Sequence, residues 1–299
     1  MAVSARASRH ADSVRHSGRF SWWDSPICQE YYNLSICGKA ASENGGGCRE
    51  YLAAKLNGKA LERAVSIGCG SGAKEIGLIE AGLVNRFDLW EIGPRVAEKG
   101  LAEAKRRGFG DRVFYHLGDA FAVEHEPYDL VYWDHSLHHM SDVVAAVRWS
   151  ARAIRPGGFV MINDYVGPNR LQFSGSEISR ANALLERHGF TERLKPSSTI
   201  SCLRQWYRDP SEAPESERIL SAIVLNLPDV ELRVIGGALL NILGPIAVPQ
   251  VRDDHPLLRD LLNQDAALKE EGVSHFVFAF WQRKPASTPV SAGEEVAEA

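Results

Sequence analysis

An α/β fold built on a doubly wound, mostly parallel sheet is what this sequence predicts, and three observations carry the expectation. The first is Ala64-Val65-Ser66-Ile67-Gly68-Cys69-Gly70-Ser71-Gly72-Ala73, an apolar run that ends in glycines on alternate positions and leads into a helix-compatible segment. Such a passage reads as strand, tight turn and helix start. The second is repetition. Apolar runs recur at Phe87-Asp88-Leu89-Trp90-Glu91, at Val113–Leu117, at Tyr128-Asp129-Leu130-Val131-Tyr132-Trp133 and at 159–162, with helices expected at 73–81, 94–107 and 142–154. Strands alternating with helices call for a parallel sheet covered on both faces. The third is that the runs close on acids: Glu91, Asp119 after Gly118, Asp134 and Asp164. Right-handed crossovers put those ends on one edge of the sheet. Acids gathered there form a functional pattern rather than a core pattern, because a buried unpaired carboxylate is costly.

Taken in order, residues 1–19 are rich in Ser, Ala, Arg and His and lack the apolar core of a secretory signal, so a disordered tail is expected. Residues 20–60 read as an N-terminal helical cap. It opens on Phe20-Ser21-Trp22-Trp23, carries Tyr31 and Tyr32 on a helix over 26–36, breaks at Glu43-Asn44-Gly45-Gly46-Gly47 and resumes as a helix over 49–56. Its aromatic residues suit packing on the sheet edge and covering a ligand equally well. Residues 61–164 hold the α/β core. Past Asp164, a turn at Tyr165-Val166-Gly167-Pro168-Asn169-Arg170 leads to helices over 176–188 and 215–227, separated by a polar stretch at 197–214. The run 234–248 is apolar apart from Asn241 and is interrupted by Gly236, Gly237, Gly244 and Pro245. It is too short and broken for a transmembrane span; a buried helix pair is the favoured reading over a lipid contact. A helix over 256–271 and a strand, His275-Phe276-Val277-Phe278-Ala279-Phe280-Trp281, follow; the strand, within 272–284, is expected to rejoin the core sheet. The Ser-, Ala-, Pro- and Glu-rich stretch 285–299 is expected to be disordered. Residues 165–271 exceed ordinary connection lengths and read as a mainly helical inserted subdomain that forms a lid and the acceptor pocket.

Composition narrows the function. A hydrophobic content of 44% supports a full core, and a net charge of −4 with no broad basic bias argues against nucleic acid as the main ligand. The five cysteines, Cys28, Cys37, Cys48, Cys69 and Cys202, are odd in number and never spaced C-x-x-C. A reducing compartment, the cytoplasm, is therefore expected, without a disulfide framework.

A glycine turn at a helix start lets a ligand approach the backbone, and the helix's N–H groups then face it. Gly68-x-Gly70-x-x-Ala73 also satisfies the dinucleotide fingerprint, with Glu91 about 20 residues on where a ribose-binding acid belongs. The wider set is more specific. Gly68-x-Gly70-x-Gly72, Glu91, Gly118-Asp119-Ala120, Tyr128-Asp129-Leu130-Val131, Leu137-His138-His139-Met140 and Arg155-Pro156-Gly157-Gly158 stand in the order seen in class I S-adenosylmethionine-dependent methyltransferases. The chain resembles that family over about residues 60–165 and at the last strand. It departs from the family at Ser66, where an acid is usual two residues before the first glycine.

The resemblance implies a class I methyltransferase-like fold, S-adenosyl-L-methionine as cofactor and a small-molecule acceptor. It further implies that Gly68, Cys69, Gly70 and Gly72 meet the cofactor's methionine–ribose portion and that Glu91, with Ile92 beside it, takes the ribose hydroxyls. Asp119 would reach the adenine amine, with Ala120 and Phe121 beside the ring, and Asp134 would lie near the transferable methyl. Asp134, His135 and His138 are the catalytic candidates, with one of the two histidines as general base. Tyr31, Tyr32, Tyr165, Asn169 and Arg170 are the candidates for substrate contact. The cluster Asp134-His135-Ser136-Leu137-His138-His139 suggests a metal site on paper, but Leu-His-His is common in the family without metal, and none is expected. An NAD-dependent oxidoreductase and a non-catalytic S-adenosylmethionine-binding module are the competing readings. A homodimer is left open; the 234–248 run is expected to supply either an apolar wall of the acceptor pocket or a partner-chain contact.

Overall fold

The structure, a computed structural model, describes residues 22–40 and 46–285. The expected tail at 1–19, most of the break at 43–47 and the tail beyond 285 lie outside the described residues.

Helices α1 (Pro26–Cys37) and α2 (Gly46–Leu56) precede the alternating core. That core runs β1 (Leu61–Ile67), α3 (Ala73–Glu80), β2 (Val84–Glu91), α4 (Pro94–Arg106), β3 (Val113–Leu117), β4 (Tyr128–Asp134), α5 (Val143–Ala153) and β5 (Ile154–Tyr165). Then come α6 (Gly175–Arg187), α7 (Thr199–Arg208), α8 (Ile219–Asn226), β6 (Glu231–Gly236), α9 (Ala238–Ala247), α10 (Pro256–Glu270) and β7 (Phe276–Gln282). The strands form one seven-stranded sheet in the order β3-β2-β1-β4-β5-β7-β6. β1 to β5 pair in parallel, whereas β7 pairs antiparallel with both β5 and β6.

Side chains alternate between the faces, as a period of two requires. Leu130 and Tyr132 of β4 and Phe276, Phe278 and Phe280 of β7 enter one core, packed with α1, α2, α6, α9 and α10. Val131, Trp133, Val277 and Ala279 enter the other, packed with α5 and α8.

Two expectations about the inserted stretch need correcting. The 234–248 run is not a helix pair. Its first residues belong to β6 and the remainder to α9, and Gly236 and Gly237 make the break with φ of +97° and +79°. β-branched Val234 and Ile235 suit a strand paired with β7, and the sheet overrides any helical tendency there. The polar stretch 197–214 also carries regular structure. It holds α7, started by a reciprocal Ser198–Ser201 capping pair. Rather than standing apart, residues 165–271 supply one edge of the sheet and helices to both of its faces. Among the described residues no helix is long and apolar enough to cross a membrane.

Candidate active site at the carboxyl edge of the sheet

The glycine turn between β1 and α3 is held from below and from the side. Gly68 has φ of +67°, and a Cβ there would stand 3.0 Å from Ser136 Cβ. Gly72 has φ of +63°, and a Cβ would meet the Tyr115 hydroxyl at 2.6 Å. Neither position takes a larger residue without strain and displacement. Tyr115 also donates to Ser71 O at 2.7 Å, tying the turn to β3. No side chain caps α3, so the N–H groups of its first turn remain for a ligand.

Above this turn lies a cavity of about 630 Å³, within the range of small-molecule sites. Its floor is Gly68, Cys69 and Ser71 with Lys74 and Glu75; one wall is Asp134, His135, His138 and Asn163. Trp22, Trp23, Tyr32, Tyr165 and Phe276 form an aromatic side, and Glu212 comes from the inserted stretch. Trp23 stacks on Trp22 with ring centroids 3.5 Å apart and meets the His135 ring edge-on at 4.5 Å. The N-terminal aromatic residues therefore cover the cavity as well as pack on the sheet.

A polar network joins the end of β4 to its neighbours. Asp134 pairs with Lys74 at 2.5 Å and accepts from Asn163 Nδ2 at 2.8 Å and from the Tyr132 hydroxyl at 3.0 Å. Burial works to raise the Asp134 pKa, but the Lys74 ammonium outweighs it and holds the carboxyl below its usual value. The Tyr32 hydroxyl donates to Asn163 Oδ1 at 2.7 Å. His135, at φ of +53°, stands 3.3 Å from Asn163 Nδ2. Burial, with Lys74 nearby, pushes the His135 pKa down to about 4, so its ring is neutral at pH 7.

His138 is placed differently. Its Nδ1 donates to Asp164 at 2.5 Å, and its Nε2 lies 3.8 Å from Glu212. Asp164 is fully buried and also accepts the backbone N–H groups of Ser136, Leu137 and Tyr165 at 2.7 to 2.9 Å. Burial alone would raise its pKa, but the His138 ring above all, with His135 and the Leu137 N–H, brings it down to about 2. For His138 burial works downward, and Asp164 more than offsets it, so the pKa is raised. Asp164 thus anchors the β4–α5 loop and orients one histidine ring.

The other candidate positions divide. Glu91 is buried, and its carboxylate accepts from the backbone N–H groups of Gly70 at 2.7 Å, Ile92 at 2.8 Å and Gly93 at 2.9 Å. It fastens the glycine turn to the end of β2. Asp119 accepts from Phe121 N at 2.9 Å and starts the short turn Ala120–Ala122. Glu91, Ile92, Asp119, Ala120 and Phe121 stand at the ends of β2 and β3, beside the glycine turn and outside this cavity's lining. Tyr32 and Tyr165 line the cavity; Tyr31, Asn169 and Arg170 do not. Tyr31 donates to Asp265 at 2.7 Å, Asn169 Nδ2 to Glu217 at 2.9 Å, and Arg170 to the carbonyls of Pro210 and Glu212 at 2.7 and 3.2 Å. Sequence reasoning missed Lys74, Glu75, Asn163 and Glu212. Lys74 did carry a signal, since a lysine in the first turn of a helix sits against the dipole's preference.

Residues 65–162 match the family described as a methyltransferase domain. This chain carries a class I S-adenosylmethionine-dependent methyltransferase domain. The 27-O-demethylrifamycin SV methyltransferase of Amycolatopsis mediterranei is 32% identical over 121 residues, covering 38% of this chain and 43% of that protein. A ubiquinone biosynthesis O-methyltransferase of Bordetella avium is 30% identical over 169 residues, covering 54% and 66%. The chain thus spans less than half the length of the first of these relatives and about two thirds of the second. Phosphoethanolamine N-methyltransferase 2 of Haemonchus contortus, solved with S-adenosyl-L-methionine, shares the fold with a TM-score of 0.51 at 16% identity, covering 95% of this chain and 61% of that one. The methyltransferase domain displaces the NAD-dependent alternative.

The residues present fit the cofactor of such a domain. Ser136 Oγ is buried against Gly68 and has no hydrogen-bond partner among the described residues. Glu75, buried on the cavity floor, accepts from Ser66 Oγ at 2.7 Å, and burial pushes its pKa up to about 7. A carboxylate in that state gains from a cationic group brought next to it, and the uncapped α3 suits an anionic one.

Proposed function

We propose that the protein transfers a methyl group from S-adenosyl-L-methionine to a hydroxyl oxygen of a small, largely apolar acceptor. The observation that carries this reading is the His138–Asp164 pair: the bond at Nδ1 leaves Nε2 clear of Asp164, and His138 lines the cavity that opens on the glycine turn. A proton acceptor so oriented is what a hydroxyl nucleophile requires and an already neutral amine does not. Two of the relatives carry an O-methyl position in their names, which agrees.

In this reading Gly68, Cys69, Gly70, Gly72, Glu91, Ile92, Asp119, Ala120, Phe121 and Asp134 hold the cofactor, with Ser136 and Glu75 added at its amino-acid end. The bound sulfonium supplies an electrophilic methyl group and a neutral thioether leaving group. His138 Nε2 would take the proton of an acceptor hydroxyl held against the cofactor's methyl group. Asp164 fixes the ring's tautomer and stabilises the imidazolium that forms. Asn163, Tyr32 and neutral His135 orient the acceptor, and placement of that kind supplies much of the rate. Trp22, Trp23 and Phe276 keep water out and give the acceptor an apolar, aromatic seat. The apolar face of 234–248 forms core rather than an acceptor wall, apart from Asn241, which reaches the cavity.

The test is methyl transfer from labelled S-adenosylmethionine to a panel of phenols, aliphatic alcohols and amines. Hydroxyl acceptors should turn over. His138→Gln should lower kcat about 10²- to 10⁴-fold, with calorimetric affinity for the cofactor within about threefold of wild type. Transfer confined to amines, with kcat intact in the variant, would overturn the reading.

A further inference from the structure

The sequence expectation of no metal considered only the cluster 134–139. The chain adds a residue that sequence proximity does not reveal. Ligand atoms of His138, His139 and Glu212 all lie within 4.8 Å of one another. Both histidines are oriented by a hydrogen bond at Nδ1. His138 Nδ1 lies 2.5 Å from the Asp164 carboxylate, and His139 Nδ1 lies 3.1 Å from the carbonyl of Ser211. Each of those partners can only accept, so both rings carry their hydrogen on Nδ1 and present Nε2 as a lone-pair donor. An outer acceptor that fixes tautomer and ring orientation is the usual second layer of a histidine metal site. The rings stand side by side, centroids 4.2 Å apart.

The third donor is also held in place. Arg170 bonds the carbonyls of Pro210 and Glu212, its own N–H donates to Ala213 O at 2.8 Å, and Asp209 accepts from Ser211 N at 2.9 Å. Arg170 and Ala213 both take positive φ, +57° and +45°, to make this junction. Glu212 projects from it to within 3.8 Å of His138 Nε2. Two imidazoles and one carboxylate suit a borderline divalent ion such as zinc, with the remaining coordination position open. Tetrahedral bonds of about 2.1 Å put donor atoms about 3.4 Å apart, a contraction within reach of Glu212, whose side chain is 24% exposed.

We propose that His138 Nε2, His139 Nε2 and Glu212 form a three-ligand site for a zinc-class transition metal, its open position directed at the cavity. One consequence rests on the function proposed above: metal binding and proton acceptance at His138 exclude each other, because both use the same lone pair.

The experiment uses the full chain, stripped with a chelator and given zinc alone, without cofactor or acceptor. Failure of metal binding then leaves the methyl-transfer reading standing, and failure of that reading leaves the site standing. In competition with a chromogenic chelator the protein should take up one equivalent of zinc, weakened at least tenfold in His139→Gln and in Glu212→Gln. Histidine-labelled wild type should show two Nε2 resonances moved by zinc while their Nδ1 hydrogens persist, a readout that needs no variant to fold. Cobalt in the same site should give tetrahedral visible bands without a thiolate charge-transfer band. No uptake, undiminished uptake in both variants, or a thiolate band marking the cysteines would each overturn the proposal.

Discussion

The carboxylates at the ends of β2 and β4 occupy equivalent places on the same sheet edge, yet they are satisfied in opposite ways. Glu91 spends its acceptor capacity on backbone N–H groups of the glycine turn and its own loop. Asp134 is satisfied by side chains, those of Lys74, Asn163 and Tyr132. An acid that holds backbone builds the turn on which a ligand rests. One held by side chains can exchange partners when a ligand arrives. The difference separates scaffold from reactive site more sharply than burial does, since both side chains are buried.

The largest effect is expected at Glu91. Glu91→Ala leaves three backbone donors without a charged acceptor and should cost roughly 3 kcal/mol or more of stability, read from urea unfolding. A loss under about 1 kcal/mol, with only cofactor affinity reduced, would show that Glu91 serves the cofactor and does not hold the turn. Glu177 combines both kinds of partner. It closes a capping box with Ser174 and pairs with buried His275 at 2.7 Å. Burial works upward, but the His275 and Ser174 hydrogen bonds hold its pKa at about 2 against an ordinary 4.5. A depressed folded-state pKa means stability present above about pH 4.5 and lost as pH falls toward 2. The loss should reach roughly 2–3 kcal/mol. Urea midpoints at about pH 5 and about pH 3 should differ less in Glu177→Gln than in wild type; equal differences would remove Glu177 as the cause.

Asp134→Asn tests the other side of the comparison. Lys74 is 43% exposed and can turn to water, so stability should change by about 1 kcal/mol or less while methyl transfer falls about tenfold or more. A stability loss matching that of Glu91→Ala would erase the distinction between the two acids. The smallest effect is Tyr32→Phe, which removes one buried hydrogen bond to Asn163. About 1 kcal/mol, seen as a modest drop in Tm, is expected; a loss several times larger would show that the side-chain network holds the fold as well.

Much of this was legible in the sequence where the signal is local. The runs of β1 to β5 and the glycine turn were, because alternation and turn chemistry act over a few residues. β6 was not, because Val234 and Ile235 become strand only by pairing with β7, some forty residues later. The acids were visible as strand-end letters, but Glu91 and Asp134 look alike until their partners are seen. Glu212 had no local mark, since its position depends on Arg170 reaching across the fold.

The strand order has a consequence for how the chain assembles. Among the described residues β6 has β7 as its only partner in the sheet, and β7 alone covers the open edge of β5. During synthesis the edge of β5 therefore stays unpaired while residues 166–275 emerge, and β6 has nothing to bind until Phe276–Gln282 is made. Domains begin to order from the N-terminus as they are made, so the nascent protein passes through a stage with a bare parallel edge and an orphan strand. Such edges invite pairing with other chains. Val234 and Ile235 of β6 and the open edge of β5 are then what a chaperone would have to shield, and truncation before Phe276 should give aggregate rather than a smaller folded protein.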